Sequence, residues 1–466
     1  MGTQHINRIL NLVVMMALVL SWLPTTSVTA TSAPGAQAAP SAPAAQMLPV
    51  ESLLNPDGTL NIGTDASGTL DLRGWNVTLD SARGPILTHD APAPAAPNAE
   101  PWSALANGLN GPVRALAVMG SDLYVGGIFT QTADGTVTNL NYIARYSGGT
   151  WLPLAHHGLS GQVWALAVIG SDLYVGGWFT QTADSAVTNL NHIAKYSGGG
   201  AWSALAHHGL NSEVDALAVI GSDLYVGGDF TATADGTVTN LNGIAKYSGG
   251  GTWSALAHNG LLISWVHALA VNGSDLYVGG YFSQSADGTV KNLNNIAKYN
   301  GGGTWSALAN NGLNEWVDAL AVIGSDLYVG GTFTQTANGT VTNLNHIAKY
   351  SGGTWSALAN NGLNGPVYAL TVSGSDLYAG GYFSQSADAM VTHLNNIARY
   401  SGGGTWSALV NNGLNNTVLA LAVSGSDLYV GGYFHQTFDG AVTHLGNIAR
   451  LGASVTHSVY LPLVTK

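Results

Sequence analysis

Short apolar segments alternate with polar turns along most of the chain, and residues 113–154 show the pattern clearly. Val113 to Val118 is apolar and is followed by Gly120-Ser121-Asp122, which predicts a strand and a tight hairpin turn. Leu123 to Phe129 is a predicted second strand, Tyr142 to Tyr146 a third and Trp151 to Leu154 a fourth. No segment after residue 30 has a sustained apolar stripe with helical spacing, so we expect an all-β protein with almost no helix there.

This four-strand unit occurs seven times, with a period of about 50 residues. Its marker tryptophan recurs at spacings of 49 to 52 residues, at Trp102, Trp151, Trp202, Trp253, Trp305, Trp355 and Trp406. The motif SDLYVGG, or its variant SDLYAGG, begins at Ser121, Ser171, Ser222, Ser274, Ser325, Ser375 and Ser426. Four-stranded sheets repeated radially define the β-propeller. The sequence therefore predicts a seven-bladed β-propeller over residues 101–452.

The order of the repeats predicts how the ring closes. The first tryptophan strand, Pro101 to Leu105, precedes its own set, and the last set ends at Leu451 without a tryptophan strand. We expect Trp102 to supply the fourth strand of the last blade, which would leave no open end. Two alternatives stay open at this stage. Ser458 to Val464 could form the last outer strand, or the repeats could form an open solenoid.

The repeat also resembles a known family. The combination SDLYVGG-x-Phe, Asn-x-Ile-Ala-Lys/Arg-Tyr and Gly-Gly-Thr-Trp-Ser-Ala-Leu is similar to kelch-like propeller repeats of secreted bacterial proteins. It is also similar to the cell-polarity cortical markers of fungi and, more distantly, to the galactose oxidase propeller. The resemblance covers residues 101 to about 451 and implies an extracellular or surface-attached propeller. It implies no activity, since the copper site of galactose oxidase needs a cysteine and this chain has none.

The chain outside the repeats divides by composition. Residues 1–30 are typical of a secretory signal, because Arg8 precedes a short apolar run and Val28-Thr29-Ala30 fits a cleavage site. An uncleaved anchor is the alternative, but the run is shorter than the ~20 residues of a spanning helix. Residues 31–47 and 91–100 are predicted linkers rich in Ala and Pro, and residues 48–90 a small β appendage. Residues 453–466 form a C-terminal tail, predicted to be a strand on the last blade, with a sorting tag as the alternative.

The composition narrows the classes of function. The chain has 466 residues, a net charge of −12 and no cysteine. The acidic balance and the lack of a basic patch argue against nucleic acid as a partner. A cysteine-free chain with a signal-like start fits a secreted, extracellular or cell-surface location, where large buried area replaces disulfides. We expect a monomer with no membrane span after signal cleavage.

Two recurring loop patterns could be taken for metal sites. His156-His157 suggests a metal, but the same loop position carries Asn310-Asn311 in another repeat, and Asn shares a turn role with His rather than a zinc-binding role. Asp134-Gly135 and its equivalents offer one carboxylate each, whereas Ca²⁺ takes 6–8 oxygen ligands. Hairpin turns are therefore favoured for both patterns. The acids and serines recur as turn residues without a paired base, so we expect no catalytic residue, no metal and no cofactor.

The repeats differ most at positions that antiparallel blades place on one face. The turns between first and second strands and between third and fourth strands share a face and barely vary. One variable position begins the innermost strand, where Arg114 and Leu419 are the first and last examples, and the other ends the second strand in Gly-Gly-x-Phe. At or beside these positions lie the predicted ligand-binding residues Trp164, Trp178, Asp215, Asp229, Trp265, His267, Tyr281, Trp316, Asp318, Tyr368, Tyr382 and Tyr433. We call the face with these residues the variable face and the opposite one, with the Gly-Ser-Asp turns, the constant face.

Around a pore mouth, aromatic side chains could stack on sugars, and together with acidic side chains they could bind a peptide. Neutral drift at exposed sites is the alternative, but drift would favour small polar residues. We therefore expect a non-catalytic binding or scaffold module at the cell surface, with a glycan or protein ligand on the variable face. Two further classes stay open. A carboxylate pair or a metal in the central mouth would favour a carbohydrate-active lyase or hydrolase, and flat faces would favour a purely structural surface-layer component.

Overall fold

The computed structural model describes residues 102–262 and 265–452, together with four short strands before residue 90. The chain divides into two compact units, residues 1–96 and 97–466. In the first unit, β1 (Met47–Leu48) pairs in parallel with β2 (Thr69–Leu70), and β3 (Trp75–Asp80) forms an antiparallel hairpin with β4 (Gly84–His89). The predicted signal, the predicted linkers apart from Met47 and the C-terminal tail lie outside the described residues.

Seven four-stranded antiparallel sheets, the blades, make up the second unit. Strand β5 (Trp102–Ala104) comes first in the chain and belongs to blade 7. Blade 1 comprises β6 (Val113–Met119), β7 (Asp122–Gly127), β8 (Ile143–Ser147) and β9 (Thr150–Pro153). Blade 2 comprises β10 (Val163–Ile169), β11 (Asp172–Gly177), β12 (Ile193–Tyr196) and β13 (Trp202–Ala204). Blade 3 comprises β14 (Val214–Ile220), β15 (Asp223–Gly228), β16 (Ile244–Tyr247) and β17 (Trp253–Ala255).

The remaining blades repeat this order. Blade 4 comprises β18 (Trp265–Asn272), β19 (Asp275–Tyr281), β20 (Ile296–Tyr299) and β21 (Trp305–Ala307). Blade 5 comprises β22 (Val317–Ile323), β23 (Asp326–Gly331), β24 (Ile347–Ser351) and β25 (Thr354–Ala357). Blade 6 comprises β26 (Val367–Ser373), β27 (Asp376–Gly381), β28 (Ile397–Tyr400) and β29 (Trp406–Ala408). Blade 7 comprises β30 (Val418–Ser424), β31 (Asp427–Gly432), β32 (Ile448–Leu451) and β5.

Within residues 102–262 and 265–452, helical structure is confined to short turns between blades. The described 3-10 helices are Ala155–His157, Ala206–His208, Ala257–Asn259, Ala309–Asn311, Ala359–Asn361 and Val410–Asn412. Across the described part of the chain, no helix has the length and apolar character needed to cross a bilayer. The predicted all-β, seven-bladed propeller is thus confirmed.

The ring closes as the order of the repeats predicted. Strand β5 pairs antiparallel with β32, and Trp102 lies opposite Leu451. This pairing fills the outer position of blade 7, which the alternative closure assigned to Ser458 to Val464. The innermost strands of blades 7 and 1 are in contact, as in every other neighbouring pair, so the repeats form a closed ring and not an open solenoid.

The hydrophobic core lies between blades rather than inside any one of them. Tyr124 and Ile143 of blade 1 pack in one buried cluster with Val163 and Trp202 of blade 2. A Cβ atom on Gly126 would collide with the side chain of Val163, so the second strand needs a glycine where the next blade approaches it. The blades can therefore approach closely only because this position lacks a side chain.

Each marker tryptophan also hydrogen-bonds to the chain segment that joins the preceding blade to its own. The indole Nε1 of Trp202 donates a hydrogen bond of 2.9 Å to the carbonyl oxygen of Ala155, in the turn between blades 1 and 2. The ring of Tyr196 lies 4.8 Å from that of Trp202, and its hydroxyl accepts a hydrogen bond of 3.5 Å from the backbone N–H of Ala155. The indole bond is present in all seven blades at 2.7 to 3.1 Å.

We predict that two truncations will show that strand β5, and not the chain before it, is needed to close the ring. Deletion of residues 1–97 should be tolerated, whereas deletion of residues 1–108 removes β5, exposes the edge of β32 and should cause aggregation. Thermal melting and light scattering of both truncated proteins check this. Equal melting temperatures would show that β5 does not close the ring.

We predict that Trp253→Ala will lower the free energy of unfolding, so that the protein unfolds at a lower denaturant concentration. Trp253 is buried, and its loss removes core packing and the indole bond to Ala206, at a cost of roughly 3–5 kcal/mol. Chemical denaturation measures this, with Trp178→Ala as the matched control because that tryptophan is 56% exposed. Equal losses for both variants would contradict the assignment of the marker tryptophans to the core.

Candidate binding face

A β-bulge lies near the start of every innermost strand. In blade 1, Val113 pairs with Gly127 and Ala115 pairs with Gly126, so Arg114 between them has no partner on β7. The same shift occurs in all seven blades. The bulged residues are Arg114, Trp164, Asp215, His267, Asp318, Tyr368 and Leu419. Because a bulge re-aims a side chain, the first variable position has a backbone geometry of its own.

The second glycine of each Gly-Gly pair accommodates this bulge. A Cβ atom on Gly127 would collide with the carbonyl oxygen of Pro112, the residue before the strand. Gly228 stands in the same relation to the carbonyl oxygen of Glu213 in blade 3. The Gly-Gly pair thus serves two contacts, one with the next blade and one with the bulge of its own blade.

The seven bulged residues converge on the mouth of a central cavity. The cavity has a volume of about 430 Å³, within the range of small-molecule sites, and is also lined by Glu213, Asp229 and Trp265. The same seven residues line an adjoining section of about 220 Å³, together with the Ala and Leu that follow each of them. The structure therefore brings together Trp164, Asp215, Asp229, Trp265, His267, Asp318 and Tyr368 from the predicted set.

Three aromatic rings pack together beside this mouth, and we call Trp265, Tyr281 and Trp316 the aromatic cluster. The ring centroid of Trp316 lies 5.3 Å from Trp265 and 5.2 Å from Tyr281, and Trp265 lies 6.2 Å from Tyr281. The imidazole of His267 is 5.4 Å from Trp316. Trp265 and Tyr281 remain 44% and 45% exposed, so the cluster presents open ring surface to solvent.

The mouth also gathers carboxylates, and we call Glu213, Asp215 and Asp229 of blade 3 the mouth carboxylates. Within residues 102–262 and 265–452, none of these three side chains forms a hydrogen bond or an ion pair. Burial, with the nearby charges of Glu213 and Asp229, outweighs the opposing charges of His267 and Arg114 and raises the pKa of Asp215 to about 6. Burial and the charge of Asp229 also raise the pKa of Glu213. At about pH 5, between the ordinary pKa of 3.8 and the raised one, Asp215 of the folded protein therefore holds a proton that the unfolded chain would release.

Two contacts organise the other polar groups of the mouth. His267 Nδ1 lies 3.0 Å from Asp318 Oδ1. Burial lowers the pKa of His267, but the hydrogen bond and charge of Asp318, with the charge of Asp215, outweigh burial and raise it above 6.5. Arg114 Nη2 donates a long hydrogen bond of 3.4 Å to the hydroxyl of Tyr433. The buried Nε of Arg114 has no hydrogen-bond partner among the described residues.

Two predicted residues lie apart from the mouth. Trp178 and Tyr382 are 56% and 64% exposed at the ends of β11 and β27, and neither lines the cavity. Neither ring pairs with another aromatic ring in the part of the chain that the structure describes. Conversely, Arg114, Glu213 and Leu419 line the mouth but were not among the predicted binding residues. The sequence could have identified these three residues, because they occupy the same positions in their repeats as the predicted binding residues.

The two faces differ sharply in charge. On the constant face, the Asp of each Gly-Ser-Asp turn pairs with the Lys or Arg of the third strand, at 2.5 to 3.5 Å in all seven blades. Of the cations in residues 102–452, only Arg114 and Lys291 lie outside these pairs. The carboxylates outside them are Asp134, Asp184, Glu213, Asp215, Asp229, Asp235, Asp287, Glu315, Asp318, Asp388 and Asp439. These eleven acids and two cations give the variable face a formal charge of −9 with neutral histidines.

The histidine and Asp-Gly loops meet each other in turn contacts. His156 has a left-handed φ of 59°, and its Nδ1 lies 3.0 Å from Asp184 Oδ2. The backbone N–H of Ala186 and the hydrogen bond from His156 lower the pKa of Asp184 to about 2. Asn360 makes the equivalent contact with Asp388 at 3.1 Å. Among the described residues, no group of three or more His, Cys, Asp or Glu is placed to hold a metal ion.

Comparisons with known proteins give a weak match in sequence. No protein-family model matches the chain. A 92-residue stretch, 20% of the chain, is 35% identical to Polarized growth protein rax2 of Schizosaccharomyces pombe and covers 7% of it. A 128-residue stretch, 24% of the chain, is 36% identical to Polarized growth protein L1 of Phoma sp. and covers 9% of it. The chain thus spans less than a tenth of either relative, and the expected likeness to fungal polarity proteins is confirmed only at this level.

Solved structures give a likeness of shape at low identity. A structure of YCF48 bound to D1 peptide is 13% identical, with a TM-score of 0.46, and the match covers 77% of this chain and 97% of that one. Virginiamycin B lyase from Staphylococcus aureus is 14% identical, with a TM-score of 0.43, and the match covers 75% of this chain and 98% of that one. Values this low carry no information on function. The kelch-like and bacterial parts of the resemblance remain predictions.

We predict that Asp215→Asn will stabilise the protein at neutral pH. A carboxyl whose folded pKa is raised destabilises the fold above that pKa, and the penalty disappears as the pH falls toward the ordinary value of 3.8. The difference between 3.8 and about 6 corresponds to roughly 2–3 kcal/mol. Chemical denaturation should show this gain at about pH 7.5 and almost none at about pH 4.

Asp223→Asn is the matched control for this measurement. Asp223 lies in the same blade but on the constant face, where backbone and Lys246 hydrogen bonds lower its pKa. Its replacement should not stabilise the protein at any pH. A loss of stability in Asp215→Asn at neutral pH would show that the carboxylate is held by favourable contacts.

Proposed function

We propose that this protein is a secreted or surface-attached β-propeller that acts as a non-catalytic binding or scaffold module, with a glycan or protein ligand on the variable face. One observation carries the proposal. The bulged positions converge on one cavity and hold six residue types, although the Val before and the Ala after each of them are the same in all seven blades. The backbone and its flanking residues are thus the same in every blade, while the side chain at the mouth varies from blade to blade.

The open aromatic surface supports the same function. Trp265 and Tyr281 keep nearly half of their surface in water, next to a cavity of small-molecule size. Exposed aromatic surface of this kind is a common feature of binding sites, where burial by a ligand releases free energy. Secretion is supported by the signal-like residues 1–30, and the absence of cysteine is compatible with it.

A carbohydrate-active enzyme is the second candidate, and one observation favours it. The cavity holds Asp215, with a pKa of about 6, together with Asp318, which is hydrogen-bonded to His267. Carboxylates in different electrostatic environments can serve as an acid and a base. The two candidates differ in outcome, because an enzyme would convert a bound oligosaccharide to products and would lose turnover in Asp215→Asn, whereas a binding module would leave the oligosaccharide intact.

We predict that an alanine scan will separate binding from folding. Alanine at Trp265 or Trp316 should cost about 2 kcal/mol or more of binding free energy, because a ligand would be packed against these rings. The same variants should fold, since the rings lie outside the blade core. A glycan array screened with the mature protein would supply the ligand, and affinity and melting temperature would be measured for each variant.

The control for the scan is Trp253→Ala, which should melt early because it is in the core. Trp178→Ala and Tyr382→Ala test whether the outer exposed aromatics also contact the ligand. If the variants at the mouth melt early and bind normally, these residues belong to the structural frame and the proposed binding face is wrong.

A further inference from the structure

The chemistry of the cavity mouth is divided between two of its sides. Blade 3 supplies the mouth carboxylates, while the aromatic cluster comes from blade 4 and the chain entering blade 5. Both sides meet at the same cavity, because Trp265 lines it together with Glu213, Asp215 and Asp229. A ligand in the cavity would therefore contact aromatic surface on one side and carboxylates on the other.

This combination matches the chemistry of an organic cation. Aromatic faces attract an ammonium group through their quadrupole, and neighbouring carboxylates add ion pairing. The mouth carboxylates have no cation at ion-pair distance within residues 102–262 and 265–452. The formal charge of −9 on the variable face extends the attraction beyond the cavity, because a surface of one sign concentrates ligands of the other.

The balance of donors and acceptors favours a sugar over a peptide as the carrier of that cation. The mouth offers mainly acceptor oxygens, whereas its donors are Arg114, His267 and the aromatic N–H and O–H groups. A peptide main chain brings equal numbers of donors and acceptors and is usually bound along a strand edge or a groove. An amino sugar brings many donors, a flat C–H face for the aromatic rings, and a few oxygens that can accept from the unpartnered Nε of Arg114.

We propose that the mouth of the central cavity binds the protonated amino group of an amino-sugar glycan, with the sugar ring packed against the aromatic cluster and the ammonium group facing the mouth carboxylates. This inference rests on the proposed binding function and names its ligand class. Acidic glycans, such as those with uronic acids, are repelled by the same carboxylates and should bind poorly.

The test uses a tetramer of β-1,4-linked glucosamine, its fully N-acetylated counterpart and a tetralysine peptide as probes. Isothermal titration calorimetry near neutral pH and at low ionic strength should show that the mature protein binds the amine tetramer at least about tenfold more tightly than the acetylated one. Added salt should weaken this binding, because the attraction is electrostatic. Titrations in two buffers at about pH 6 should also show proton release, since Asp215 is then about half protonated and a bound ammonium group favours its ionised form.

The variants identify the contacts. Asp215→Asn and Trp265→Ala should each weaken binding of the amine tetramer by about tenfold or more, and Asp215→Asn should also reduce the proton release. Asp223→Asn removes the same charge from the same blade on the constant face, where Asp223 pairs with Lys246 at 3.1 Å, and should leave both readouts unchanged. Since Asp215→Asn should be stabilised, a loss of binding in that variant would not come from unfolding.

The other outcomes overturn the inference. Equal losses in Asp215→Asn and Asp223→Asn would mean that only overall charge attracts the probe. Binding of tetralysine with the same dependence on Asp215 and Trp265, without binding of the amine tetramer, would assign the cavity to a basic protein partner. Binding of neutral glycans on the array through Trp265, without any preference for the amine, would overturn this inference and leave the proposed binding function intact.

Discussion

The close approach of neighbouring blades is the constraint on which the rest of the structure depends. Each blade presents a glycine to the valine at the start of the next blade, as Gly126 does to Val163, and a side chain on that glycine would collide. The last contact of the series, between Gly431 and Val113, joins blade 7 to blade 1. Because every core cluster spans two blades, no blade is stable alone, and the closure by β5 is part of the same packing.

The bulge separates the requirements of this frame from the chemistry of the mouth. Val113 and Ala115 are buried on either side of Arg114, whose side chain lines the cavity instead. A change at the bulged position therefore leaves the contacts between blades in place. This arrangement explains how residues as different as Asp215, His267 and Leu419 occupy equivalent positions in blades that share one backbone geometry.

Much of the fold could be predicted because the repeat contains the packing information seven times. The 50-residue period, the alternation of strands and turns, and the position of Trp102 before its set were enough to predict seven blades and their closure. The bulge could not be predicted, since Val-x-Ala followed by Gly-Gly does not by itself show which residue loses its partner. Of the candidate site, the residues at the innermost strands were placed together at one mouth, as antiparallel topology requires.

The remaining parts of the site depend on distances across the ring. Trp178 and Tyr382 occupy the second variable position, which lies farther from the axis, whereas Asp229 and Tyr281 at that position reach the mouth or its aromatic cluster. The contact of His267 with Asp318 joins blades 4 and 5 over 51 residues of sequence, and that of Arg114 with Tyr433 joins blades 1 and 7. No pattern within one repeat contains such pairs, because they depend on which two individual residues happen to be neighbours.

The two faces also differ in their effect on the free energy of folding. On the constant face, the two charges of each of the seven partly exposed ion pairs neutralise each other. Each pair contributes only about 0–1 kcal/mol to stability, so their main role is to hold the turns in place. On the variable face, Asp215 remains half-buried without a partner and beside two further carboxylates, an arrangement that costs stability. Neighbours that repel each other raise the affinity for any cation that comes between them, because its binding removes the repulsion as well as adding attraction. The same interaction that weakens the fold at the mouth would therefore strengthen the binding of a positively charged ligand there.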